Sequence, residues 1–183
     1  VYDRDHLYHV LLNSVEEGRP LGESDAIVDG AHLERFKSQV FLTNGSNVIE
    51  MLSGQSTIMK TEDAAGWVSG KDIETYLRYL YVLTSDNRIQ KYERLSNRYG
   101  PASPYNVNGD LTGSIDMAID GNVYVLKEGG KIVKLFRGEA QPFAMYHAPE
   151  GGMTGVTKFV KLTNGNFYFL NPTKKQVIVA SDG

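Results

Sequence analysis

Asp116 and Asp120 stand four residues apart in the stretch SIDMAIDGNVYVLKEGGKIVKLFRGE, residues 114–139. Carboxylates at such spacing could ligate calcium or move protons. A calcium ion takes about six to eight oxygens, so this pair would need partners from other parts of the chain. His6 and His9 form a second spacing with chemical content, H-x-x-H. On a helix both imidazoles share a face, whereas on a strand they point to opposite sides. His32 and His147 stand alone, and DRDH at residues 3–6 sets acids beside His6 without a serine or cysteine motif. No G-x-S-x-G, P-loop or G-x-G-x-x-G element occurs, so no catalytic residue is assigned and no cofactor is expected.

The elements that position these residues are repeated. QVFLTNGSNVIEML, LYVLTSDNRIQKYE, VYVLKEGGKIVKLF and FYFLNPTKKQVIVAS align on Leu42, Leu83, Leu126 and Leu170, spaced by 41, 43 and 44 residues. Each unit has a short apolar run, a turn rich in Gly, Asn, Asp or Ser, and a second apolar run, which is the pattern of a β-hairpin. A further strand precedes each hairpin: AHLERF, DIETYLR, SIDMAID and TKFVKLT. Outer candidates follow at STIMKT, around SPYNV and at PFAMYH. Three inner strands and an irregular outer one, recurring at this period, describe a β-propeller blade. The reading is therefore all-β, with about four propeller blades at roughly residues 25–66, 67–110, 111–153 and 154–183, the last truncated. Residues 6–18, HLYHVLLNSVEEG, are the best helical stretch and fit a strand and turn equally well. The ring is expected to be incomplete, a fragment of about five to eight blades in a longer protein, with residues 1–24 able to supply part of a closing strand.

The repeat also weighs the acids. Under the hairpin alignment, Asp116 pairs with Ile73, Val160 and His32, so its sister positions are not acidic. Asp120–Gly121 reads as a turn, with Asn164–Gly165 in the same place of the fourth unit. Asp116 alone keeps a claim as a metal ligand, and otherwise no metal site is assigned. Tyr81, Tyr124 and Tyr168 recur at matching blade positions, which points to packing. EGG at 128–130 is a hairpin turn, and Lys174–Lys175 is a solvated turn pair.

DMAIDGNVYVLKEGGKIVKLFRGE and FYFLNPTKKQVIVASDG resemble the propeller region of large bacterial membrane-anchored proteins, several of which also carry a metal-dependent serine/threonine phosphatase-like domain. Asp116, Asp120–Gly121, Val123–Leu126 and Asp182–Gly183 carry the likeness, which covers roughly residues 72–183. More distantly, the units resemble NHL-type repeats. The resemblance implies a non-catalytic, extracytoplasmic binding or scaffold module and supplies no phosphatase residue.

Composition narrows the partners. A formal net charge of -3 offers no basic excess for nucleic acid, and the absence of cysteine excludes disulfides and thiolate metal sites. No apolar run reaches the length of a membrane-spanning helix. Trp67, in the interblade stretch EDAAGWVSG, does not recur and is the first candidate for a surface contact. Gly151, Gly152 and Thr154, in the interblade loop EGGMTG, are the others. The expected function is a non-catalytic propeller module that binds or senses a protein, peptide or glycan. The alternatives are a calcium-dependent propeller enzyme of lactonase, lyase or glycosidase type, and a structural spacer.

Overall fold

The computed structural model describes residues 2–3, 6–9, 19–23, 32–36, 39–43, 47–52, 55–149 and 152–182. Four of its sheets are four-stranded and antiparallel. The first blade is β4 (His32–Phe36), β5 (Gln39–Thr43), β6 (Val48–Leu52) and β7 (Gln55–Ile58). The second is β8 (Gly70–Tyr76), β9 (Tyr79–Thr84), β10 (Ile89–Glu93) and β11 (Ser103–Pro104). The third is β12 (Ser114–Ile119), β13 (Val123–Lys127), β14 (Ile132–Phe136) and β15 (Glu139–Gln141). The fourth combines β16 (Met145–Tyr146) with β17 (Lys158–Lys161), β18 (Asn166–Asn171) and β19 (Gln176–Asp182). A separate three-stranded sheet holds β1 (Tyr2–Asp3), β2 (His6–His9) and β3 (Arg19–Glu23).

The strands of all four hairpins read from the sequence pair as expected, and the turns of the second and third use the expected residues. Asn87 takes a positive φ of 63° between β9 and β10, a conformation that asparagine tolerates well. Gly129 and Gly130 turn the third hairpin with φ of 81° and 83°. At Gly130 a side chain is also barred by contact, because a Cβ there would lie 2.0 Å from Met153 Cβ.

The blades stack through three apolar cores. Phe41, Val48 and Met59 meet Ile73, Leu80, Val82, Tyr92 and Tyr99 between the first and second blades. Tyr81, Leu83 and Ile89 meet Met117, Val123, Val125 and Leu135 between the second and third. Tyr124, Leu126 and Ile132 meet Phe159, Phe167, Phe169, Ile178 and Ala180 between the third and fourth. Strand alternation explains the division, since successive residues of the middle strand point at opposite neighbours. The continuous apolar runs YLYVL and VYVL follow from that, because both faces of these strands are covered.

Three expectations are corrected here. PFAMYH does not edge the third blade: Glu139–Gln141 fills that edge right after the Gly138 turn, and Met145–Tyr146 crosses to pair with β19. The first hairpin is one residue out of phase, because Phe41 rather than the aligned Leu42 joins the core against the second blade. Strands β1–β3, from residues 1–24, form their own sheet rather than a strand of another blade, and His6–His9 is a strand rather than part of a helix.

Candidate functional site

The innermost strands β8, β12 and β17 lie side by side, and on them the chemistry-bearing residues gather. Cross-strand pairing fixes which positions correspond: Asp72 lies opposite Leu83, Asp116 opposite Leu126 and Lys158 opposite Leu170. An irregularity of register falls between Gly70 and Asp72 and again between Ser114 and Asp116, at the same place in two blades. That irregularity is common to both blades and precedes both aspartates. The count shifts because the hairpins that follow differ in length, Asp72 preceding its leucine by 11 positions, Asp116 by 10 and Lys158 by 12. The sister positions of Asp116 are therefore Asp72 and Lys158, not the Ile73 and Val160 of the gap-free alignment.

Both aspartates are buried and do the same work. Asp72 Oδ2 accepts the Met117 N–H of the third blade at 2.8 Å, and Asp116 Oδ2 accepts the Phe159 N–H of the fourth at 2.7 Å. A carboxylate reaching across to the next blade's backbone is a repeated inter-blade clamp. In the fourth unit the clamp position is Lys158, whose ammonium turns back to Asp116 Oδ1 at 2.5 Å and lies 3.9 Å from Asp72. On the first blade's inner strand, Glu34 accepts the Thr75 hydroxyl at 2.9 Å.

Glu34, Asp72, Glu74 and Asp116 thus gather on one wall, with the Lys158 ammonium among them. Burial, followed by repulsion from Glu34, Asp72 and Asp116, pushes the Glu74 carboxyl up to about 10 against a partial offset from Lys158. Burial and the Asp72 charge push Asp116 up to about 7, with Lys158 and the Phe159 N–H pulling the other way. Chemically this wall can hold and release protons near neutrality. As a calcium ligand, Asp116 would have to give up its contacts, since one oxygen holds a backbone N–H and the other an ammonium. Among the described residues, no three His, Asp or Glu side chains converge as a metal site would require.

Asp120 occupies the turn predicted for it. Its Oδ1 accepts the Asn122 N–H at 3.1 Å, as Asn164 Oδ1 accepts the Asn166 N–H at 3.0 Å in the fourth blade. It also pairs at 3.2 Å with Lys161, a cation buried against the Phe167 and Tyr124 rings. Asp182 accepts the Tyr124 hydroxyl at 3.0 Å and pairs with Lys134 at 3.1 Å. Each of these acids joins the third blade to the fourth.

The contact candidates are scattered. Trp67 is half-buried: its indole N–H donates to the Met59 carbonyl at 2.7 Å, and its ring packs on Tyr92 and Tyr99. Gly151 lies outside the described residues. Gly152 is exposed in a turn closed by its N–H on the Pro149 carbonyl, at φ of 74°. Thr154 is exposed, and its carbonyl accepts from the Asn171 amide at 2.9 Å. The loop's buried residue is Met153, pressed on Gly130 in the core between third and fourth blades.

A cleft of about 300 Å³ opens between the first and second blades, lined by Gln39, Glu50, Leu52, Gln55, Thr57, Met59, Arg94, Ser96 and Asn97. The Arg94 guanidinium binds both Glu50 oxygens, at 3.0 and 2.9 Å, and donates to the Tyr99 hydroxyl at 3.2 Å. Gln39 also donates to Glu50. The sequence reading missed this cleft, although a signal existed. Glu50 interrupts the apolar run VIEML, and an acid in a buried strand requires a partner.

No family model and no curated protein sequence matches the chain. Solved structures do. The chain is similar to BamB from Moraxella catarrhalis at 13% identity and a TM-score of 0.52, covering 81% of this chain and 42% of that one. It is similar to YCF48, solved bound to D1 peptide, at 12% identity and a TM-score of 0.53, covering 92% of this chain and 58% of that one. The chain therefore spans about half the length of these structures. What it shares with them is the architecture of stacked antiparallel blades: the fold is a β-propeller.

Proposed function

We propose that this propeller region is a non-catalytic interaction module, and that it takes an extended peptide segment of a partner protein in the cleft between its first and second blades. The observation that carries the reading is the lining of that cleft. Carboxamides and hydroxyls from Gln39, Gln55, Thr57, Ser96 and Asn97 surround the apolar Leu52 and Met59, with the guanidinium of Arg94 held rigid by Glu50 and Tyr99. Amide and hydroxyl groups suit a peptide backbone, and the apolar pair suits one side chain. Two facts support it. The acids that raised the enzyme alternative are engaged in joining blades, as Asp72, Asp116 and Asp120 show. A protein of similar fold, YCF48, carries a bound peptide.

The test is selection from a displayed peptide library on the full chain, followed by titration of the selected peptide. Replacing Gln55 and Asn97 together by alanine should weaken binding at least tenfold while leaving the far-ultraviolet spectrum unchanged. Affinity that ignores both substitutions, or a selected ligand displaced only by changes at Thr154, removes the cleft from consideration. Hydrolysis of a lactone or glycoside that is lost in Asp116→Asn would restore the enzyme reading.

A further inference from the structure

The seams between blades repeat one arrangement at the rim. In each of the first three blades an aromatic residue packed on the next blade lies cross-strand from a charged one: Phe41 from Glu50, Tyr81 from Lys91 and Tyr124 from Lys134. In two seams the next blade answers that charge with its opposite. Arg94 of the second blade binds Glu50, and Asp182 of the fourth binds Lys134. These partners stand at one repeat position, five residues beyond Ile89 and Val177, which lie opposite the aligned leucines. Counted the same way from Ile132, the third blade places Arg137 there, a second cation. Arg137 is exposed in a turn at φ of 52°, with its guanidinium 5.2 Å from the centre of the Phe136 ring. Lys91 is partly buried, yet among the described residues its ammonium has no ion pair and rests on the Tyr79 ring at 4.7 Å.

A second hollow, of about 350 Å³, opens beside this lysine, with Tyr79, Lys91, Ser103, Leu95 and Gly100 in its lining. Its two acids are already matched, Glu62 by Arg98 and Glu93 by Arg78, each at 2.6 Å. Lys91 is left as its unanswered charge. The hollow and the peptide cleft flank one loop: Arg94, Ser96 and Asn97 wall the cleft, Leu95 and Gly100 the hollow. That loop is two chains wide, closed by the Leu95 N–H on the Arg98 carbonyl at 2.9 Å. Neighbouring chains lie about 4.8 Å apart and an extended peptide advances about 3.3 Å per residue, so about three residues cross it. We propose that the partner peptide carries an aspartate or glutamate about three residues beyond the segment seated in the cleft, and that this carboxylate binds the Lys91 ammonium in the hollow. The peptide supplies the acid that the third blade lacks. A charge-assisted hydrogen bond to a partly desolvated ammonium favours such a peptide, and repulsion turns away one with a cation there. This inference rests on the peptide-cleft reading and adds the charge of the partner to it.

Selection from a randomised displayed peptide library, run in parallel on the full chain and on Lys91→Glu, reads this charge directly. The unaltered chain should enrich aspartate or glutamate at one position, and Lys91→Glu should enrich lysine or arginine there. Titrated with a fluorescein-labelled selected peptide, Lys91→Gln should bind about tenfold more weakly. Replacing the peptide's acid by its amide should cost as much on the unaltered chain and little on Lys91→Gln. Circular dichroism matching that of the unaltered chain shows that the variants are folded. Binding that needs Gln55 and Asn97 but no acid overturns this inference and leaves the cleft reading standing. Binding that needs Lys91 and an acid but ignores Gln55 and Asn97 upholds the carboxylate contact and removes the cleft. A chain that selects no peptide overturns both.

Discussion

The inner wall and the rim of this propeller solve the same problem in opposite ways. At the rim, Glu50 meets one guanidinium in a two-pronged bond, so charge is matched group for group. On the inner wall, Asp72 and Asp116 both face the Lys158 ammonium with Glu74 close by, and the two aspartates each accept a backbone N–H of the next blade. Matching gives a local staple. Mismatch gives a wall whose acids are satisfied by the fold itself and whose charge is lowered by keeping protons. The comparison teaches that acids in a propeller channel are not by themselves a catalytic set, because the register of the blades can use them as mortar.

If that account is right, the largest effect belongs to the clamp. Asp116→Ala strips the Phe159 N–H and Lys158 of their partner in one step, leaving a buried donor and a poorly matched cation. A loss of about 3 kcal/mol of unfolding free energy is expected in urea titrations. Asp116→Asn, which keeps an acceptor, should cost roughly half as much. Equal effects of the two would mean that the cross-blade hydrogen bond is not what the carboxylate contributes.

The rim pair is the second test. Glu50→Ala should cost about 2 kcal/mol, since it leaves a partly buried guanidinium facing apolar neighbours. Replacing both partners, Glu50→Leu with Arg94→Met, should recover most of the loss. A double-mutant cycle with no coupling would make the pair an onlooker.

The four hairpins were legible because their signal is local: short continuous apolar runs broken by turn residues. The clamps were not, although Asp72 and Asp116 are plain in the sequence. The hairpin from Asp72 to Leu83 is one residue longer than that from Asp116 to Leu126, so a gap-free alignment on the leucines put Ile73 in the place of Asp72. Trp67 shows a different limit. Its failure to recur marked it as special, but non-recurrence does not distinguish a contact residue from one that packs on Tyr92 and Tyr99 at a blade edge.

The wall's protons make the third prediction, and its sign is opposite to that of an ordinary salt-bridged acid. Glu74 and Asp116 hold protons more tightly folded than unfolded, so between about pH 4 and 10, from the ordinary carboxyl range up to the folded value of Glu74, the native state binds more protons. As far as these two groups are concerned, stability should be greatest below about pH 4, under the ordinary carboxyl range. It should fall as pH rises, by up to about 1.4 kcal/mol per pH unit for each proton involved. Glu74→Gln cannot ionise and should flatten the alkaline part of that slope in thermal melts. A slope that survives the substitution would place the titration elsewhere.

The smallest effect separates the two roles of Asp120. Asparagine there keeps the side-chain oxygen that caps the Asn122 N–H, yet it loses the charge facing Lys161. Lys161 still keeps the Gly165 carbonyl at 3.3 Å and the Phe167 ring at 4.6 Å, so its burial is not left bare. Asp120→Asn should therefore cost about 0.5 kcal/mol, and Asp120→Ala about 1 kcal/mol, because alanine loses the turn as well. The difference between the two variants measures the turn alone. If asparagine costs as much as alanine, the cross-blade charge dominates, and the third and fourth blades are joined at this end by ion pairing in the manner of the rim.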